Sequence, residues 1–326
     1  MHRAAHRVLA VLSVMGAACA GPSPAPAEPE PPPRPPLGRL ALLVPGGAER
    51  VAELRPGALL AAPATRRVVQ ALVPPDAMRR LADRTGIDPV HVETAVVAEY
   101  ARGHLVLLRG DFDAAARARE LARARMAPVE SRSDAPFVRR GGHVGTDWRE
   151  LVALRADVLA VAFGEIRDVT AAVVHRASQG RWPPSARAAL GSESALDLLR
   201  VSGEAPASVH MPRPLELPEG FGTSVLLARE RALVLVFEPA GEDIEVGVDL
   251  RGEFPDGAEQ NFRTLVTSVA RTDVGAALGL LEGLETLRVQ AERSRVVIHE
   301  RVPADSLARG LVMLLGPDVR TVTDGD

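Results

Sequence analysis

Apolar and polar positions alternate most strictly near the middle of the second half. There Ile244, Val246, Val248 and Leu250 stand against Glu245, Gly247 and Asp249, the period of two that predicts a strand with one buried face. Elsewhere the period is helical. Ile166, Val169, Thr170, Val173, Val174 and Ala177 predict a packed helix over Glu165–Ser178, and Ala114, Ala118, Leu121 and Ala122 one over Asp113–Met126, capped by Asp113. Val92–Tyr100 and His104–Arg109 predict a hairpin turning at Arg102-Gly103, Val138–Val144 a strand, and Leu151–Arg155 with Val158–Phe163 a second hairpin. Upstream, Arg39–Val44 predicts a first strand stopped by Pro45-Gly46-Gly47. Helices over Thr65–Val73 and Asp76–Arg84 follow, separated by Pro74-Pro75, the second capped by Asp76 and closed by Gly86.

The second half predicts the same order. Ser224–Arg229 and Leu233–Phe237 pair as strands, and a helix over Asp256–Ala270 buries Phe262, Leu265, Val266 and Val269. A short helix runs from Asp273 to near Gly283, Leu287–Ala291 and Arg295–Val302 form a hairpin, and Ala304–Leu315 closes the body on Leu307, Leu311, Leu314 and Leu315. Leu108-Arg109-Gly110-Asp111-Phe112 recurs as Leu250-Arg251-Gly252-Glu253-Phe254, each at a strand-to-helix junction, and Asp157 matches Ser294 in the later hairpins. The expectation is an α+β fold of duplicated β-hairpin, helix, β-hairpin, helix units, antiparallel sheet with helices packed on one face. The units are residues 38–184 and 185–318, with 319–326 a disordered tail.

The segment before this body has another character. His2, Arg3, His6 and Arg7 form a basic start, Val8–Ala18 is apolar, and Gly16, Ala17 and Ala18 lead into Cys19, the chain's single cysteine. That layout predicts a secretory signal over 1–18, too short for a spanning helix. It resembles a bacterial lipoprotein signal, which implies lipidation of Cys19, although Gly16 stands where such signals carry leucine. Ala18-Cys19-Ala20 also reads as an ordinary signal-peptidase site, which would release a soluble periplasmic protein. Gly21–Pro36 holds nine prolines; proline fixes φ and removes donors, so residues 19–37 predict an extended tether. Ala20 in place of aspartate implies outer-membrane sorting by the same resemblance.

Composition narrows the chemistry. All 39 basic residues are arginine, so a P-loop lysine, a Schiff base and a lysine general base are excluded. A formal charge of −3 and ten aromatics among 326 residues give no basic, base-stacking face for nucleic acid. With Cys19 alone, the body has no disulfide, zinc-finger spacing or thiol nucleophile.

Candidate site residues are few. His104, Asp111, Asp113, His143 and Asp147 could gather into a metal or acid/base site, though none has HExxH-type spacing. Arg109-Gly110-Asp111 spells an adhesion tripeptide, yet Arg251-Gly252-Glu253 at the matching junction favours a structural account: glycine for the turn, an acid at the helix start. Gly141-Gly142-His143-Val144-Gly145 lacks the helix a phosphate loop needs, His299 reads as a packed or edge histidine, and Trp148 and Trp182 as core or cap residues or sugar-stacking platforms. From Gly86-Ile87-Asp88 through the two LRG(D/E)F junctions, the body resembles uncharacterised cell-envelope lipoproteins of GC-rich, myxobacterial-type bacteria, a resemblance that implies no activity. The expectation is a lipid-anchored envelope module without catalytic residues, cofactor or metal. Its partners are the membrane, through Cys19, and an envelope protein or glycan; a periplasmic hydrolase with a carboxylate/His site is the alternative.

Overall fold

The computed structural model describes residues 37–122, 127–128, 138–144, 147–212 and 230–324. Cys19, the tether and the predicted strand Ser224–Arg229 lie outside them. The described residues form an α+β fold around one twelve-stranded sheet, every pairing antiparallel.

In chain order the elements are β1 (Arg50–Leu54), α1 (Pro56–Ala61), α2 (Pro63–Leu72), α3 (Pro75–Thr85), β2 (Val92–Tyr100), β3 (Gly103–Gly110), α4 (Ala114–Ala122), β4 (Ala127–Pro128), β5 (Val138–Val144), β6 (Asp147–Arg155), β7 (Val158–Gly164) and α5 (Arg167–Gln179). There follow α6 (Glu193–Ser202), β8 (Ala207–Met211), β9 (Glu230–Ala240), β10 (Asp243–Gly252), α7 (Ala258–Ala270), α8 (Asp273–Ala277), α9 (Leu280–Gly283), β11 (Arg288–Ala291), β12 (Arg295–Pro303) and α10 (Ala304–Asp324). Across the sheet the order is β11-β12-β10-β9-β8-β1-β2-β3-β7-β6-β5-β4. The seam is β1 against β8, with Val51 opposite His210 and Glu53 opposite Ser208. Segments 38–184 and 185–318 therefore share one sheet.

Helices pack on both faces, not one. Leu105 and Leu107 of β3 join Val158, Ala160 and Ala162 of β7 in a cluster roofed by α5 and by Leu40–Val44. Their neighbours Val106, Leu108, Leu159 and Val161 face the other way, against Ala114, Ala118 and Ala122 of α4. The continuous apolar runs of β3 and β7 are the cause, because a strand apolar on both sides must be covered on both. In the second half β10 has one apolar face. Leu250 and Ile298 pack under Phe262 of α7, while Ile244 and Val302 pack under Leu307 of α10 and Ala64 of α2. The opposite face of β10 and β12 is polar: Glu245 meets His299 and Arg301, and Asp249 meets Arg251 and Arg295.

Other expectations change in detail. Leu40–Leu43 is a 3-10 turn, not a strand; Leu42 N donates to Arg39 O within the turn, and Leu40, Ala41 and Leu43 are buried in the first-half cluster. The first strand is β1, and α1, α6 and β8 are further elements that the sequence pattern left unassigned. Asp76 lies in the first turn of α3 but makes no cap. Val269 is exposed. The closing helix runs on to Asp324, into the stretch expected to be a disordered tail.

Candidate binding cleft

The residues that sequence reasoning grouped fall in three places. His104 opens β3 beside Glu99 and Phe163, whereas Asp111 and Asp113 follow the far end of that strand. His143 pairs with Trp148 in the β5–β6 hairpin, its ring 5.2 Å from the indole at 76°. Asp147 opens β6. Among the described residues no group of three His, Cys, Asp or Glu side chains could hold a metal. Asp113 accepts a hydrogen bond from Ala116 N at 2.9 Å and caps α4. Arg109 donates to Gly38 O, and Gly110 N donates to Asp157 O, so the RGD tripeptide is a junction between β3, the N-terminal segment and the β6–β7 turn. Trp148 is stacked on by Arg167, whose guanidinium carbon lies 3.7 Å from the ring centre. His299 is exposed and hydrogen-bonds Glu245 Oε1 at 3.1 Å on an open strand face; it is neither packed nor on an edge strand, because β12 lies between β10 and β11.

At the seam lies a polar cluster that is buried apart from the outer part of Arg39. Arg39 makes a forked contact to Glu53 and also reaches Leu199 O and Ser202 Oγ. His210, wholly buried, shares a 3.1 Å hydrogen bond with Ser208 Oγ. Burial, and then the nearby Arg39 charge, push its pKa down to about 3, so the imidazole is neutral. Serine, histidine and glutamate in adjacent registers have the composition of an acyl-transfer site. However, Glu53 is bound to Arg39 and His210 is out of reach of solvent, so the cluster fixes the seam and cannot meet a substrate.

Among the described residues a concavity that solvent reaches lies between α2 and α10. It is a cleft of about 520 Å³ lined by Arg67, Ala71, Asp305, Ala308, Arg309, Val312 and Met313. Two helices distant in sequence make it. Ala64 and Val68 turn one side of α2 onto β10 and β12, where Ala304, Leu307 and Leu311 of α10 also pack. The outer sides of both helices are left to form the walls. Arg67 spans the rim, paired with Glu242 and Asp305, while Arg309 donates to Ser306. Of the lining residues Val312 and Met313 stand 37% and 62% exposed, and Leu314, next in the chain, 36%. Sequence reasoning missed this site, taking Leu314 for core. The available signal was the run Leu311-Val312-Met313-Leu314-Leu315, which puts apolar side chains around more of the helix than one buried stripe needs.

No protein-family model matches the chain, and no curated protein matches it. Similar solved structures are those of TP0453 in crystal forms I, III and IV, at 12%, 11% and 12% identity with TM-scores of 0.49, 0.47 and 0.48. They cover 87%, 83% and 85% of this chain and 99%, 96% and 96% of that protein.

Proposed function

We propose that this chain is a membrane-tethered lipoprotein of the cell envelope, of the myxobacterial type, whose body is a non-catalytic binding module. Cys19 carries the lipid and the proline-dense segment holds the body off the membrane. The observation that carries the binding role is the α2–α10 cleft, with its apolar floor, paired charges at the rim and exposed Val312 and Met313. Such a lining suits the apolar side of a segment from an envelope protein. A glycan would need more hydrogen-bonding groups and an open aromatic face.

The body is read as a duplication. Supporting this, the order β2-β3-β7-β6 on one side of the seam is repeated as β9-β10-β12-β11 on the other. Gly110 N donates to Asp157 O at 3.1 Å, and Gly252 N donates to Ser294 O at 3.2 Å, in the residues that the sequence pairs. The copies diverge in their last helix: α5 covers one sheet face, and α10 crosses to the other. Only the second copy thus acquires an exposed helix pair with α2.

The test is capture from native envelopes with full-length protein. Met313→Asp and Val312→Asp are expected to weaken capture of the bound envelope protein about tenfold or more, while Leu196→Asp, on α6, leaves it unchanged. Cys19→Ser should abolish acyl labelling and release the protein from the membrane fraction. Capture indifferent to both cleft variants would overturn the binding role; turnover in a hydrolase screen, lost on mutating a buried His or Asp, would replace it with the enzyme reading.

A further inference from the structure

Glu300 interrupts an apolar face. It lies on β12 between Ile298 and Val302, opposite Val246, with Phe237 on the next strand. Those four residues belong to two apolar clusters, and the carboxyl sits between them. The residue is 6% exposed, and its Oε1 is buried without a hydrogen-bond partner. A glutamate in that register breaks the apolar side of the period-two pattern of β12.

The segment over it is held by close backbone approach. A Cβ built on Gly283 would lie 2.6 Å from Glu300 Oε1 and 2.6 Å from Arg301 O. One on Gly279 would lie 2.6 Å from Ser306 Cβ, and one on Gly310 would lie 2.3 Å from Ala277 O. Thr286 Oγ1 accepts from Arg301 N. From residue 273 to residue 286 the chain is therefore laid flat on β12 and α10, on short helices with little core of their own. The charged groups on the packed elements do not compensate Glu300. Glu282 accepts from Ser306, Glu285 is exposed, Asp305 pairs with Arg67, Arg309 donates to Ser306, and Arg301 pairs with Glu245 on the opposite face. β9 and β10 contribute Phe237 and Val246. Burial pushes the Glu300 pKa up to about 7.

We propose that residues 273–286 form a proton-controlled cover, closed over protonated Glu300 and lifted when Glu300 ionises, so that Leu278, Leu280 and the Ile244–Val302 face become exposed. The cost of an unpaired carboxylate under a dry backbone is relieved most readily by moving the least anchored layer above it.

Hydrogen exchange of full-length protein, followed by mass spectrometry between pH 5 and 8 and corrected for intrinsic exchange, tests this. Protection of peptides within 273–286 is expected to fall by up to about tenfold per pH unit up to the neutral range and then level off, while β2 and β3 peptides stay constant. In Glu300→Gln the profile becomes flat; in Glu282→Gln the step remains. A step that survives in Glu300→Gln, or a flat wild-type profile, overturns the proposal. Carboxyl-carbon NMR of the wild type gives an independent reading, since a Glu300 midpoint near 4.5, the ordinary value, is incompatible with a carboxyl held under a closed cover.

Discussion

Glu53 is 4% exposed and depends on one cation: Arg39 gives it Nε and one terminal nitrogen, which also donates to Ser202 Oγ, while the other terminal nitrogen donates to Leu199 O. Removing one member of a buried pair strands the other, which is more damaging than never having placed a pair there. Glu53→Gln keeps the shape but leaves the guanidinium uncompensated. It should lower stability by about 3 kcal/mol, whereas Arg39→Met with Glu53→Leu should recover most of that loss. Urea midpoints of the two proteins decide the matter; equal losses in both would show that the pair contributes by packing alone. Tyr100 obeys the same rule in neutral form, its hydroxyl donating to Pro45 O at 2.9 Å and its pKa raised by burial and then by Asp168. The phenol therefore stays protonated and keeps its donor.

At the level of elements, the β3–α4 junction has no room for a side chain. A Cβ on Gly110 would lie 2.3 Å from His91 O and 2.9 Å from Val92 Cα. Both contacts are backbone, so the strand cannot yield as a flexible side chain would. Gly110→Ala should cost about 2–3 kcal/mol, measured by thermal unfolding, and Gly241→Ala, in open space, much less, chiefly its left-handed φ. Strands and helices with a long, clean period were legible in the sequence, as β10, α5 and the β6–β7 hairpin show. The runs in β3 and β7 even announced two-sided burial, a sign overlooked in expecting helices on one face. Leu40–Val44 was not legible, because five apolar residues fit a strand and a buried turn equally well. Nor was the destination of α2: its periodicity gives the face it buries, not the partner, and that partner lies across the seam. The cleft was hidden for the same reason. Glu300 was readable in principle, since the alternation of β12 places it in the apolar register.

For the molecule as a whole, two buried groups oppose each other in their response to acid. His210 has its folded pKa lowered from 6.5 to about 3, so its contribution is complete above pH 6.5 and is lost as pH falls toward 3. Glu300 has its folded pKa raised from 4.5 to about 7, so its penalty is complete above pH 7 and is relieved as pH falls toward 4.5. Between pH 4.5 and 6.5 the unfolded chain holds an extra proton at His210 and the folded chain one at Glu300, and the two slopes cancel. Stability should be nearly level there. In Glu300→Gln it should fall by up to about 1.4 kcal/mol for each unit by which the pH is lowered across the same window, as denaturant titrations at a series of pH values would register. A wild-type curve as steep as that of the variant would show that one of the two groups does not titrate as its surroundings dictate. The seam has a consequence in time as well. One edge of β1 is taken by the next strand in the chain, but the other must wait for β8, because Val51 has no partner there until His210 has been made. Until then β1 carries an open strand edge, a template on which another chain can pair.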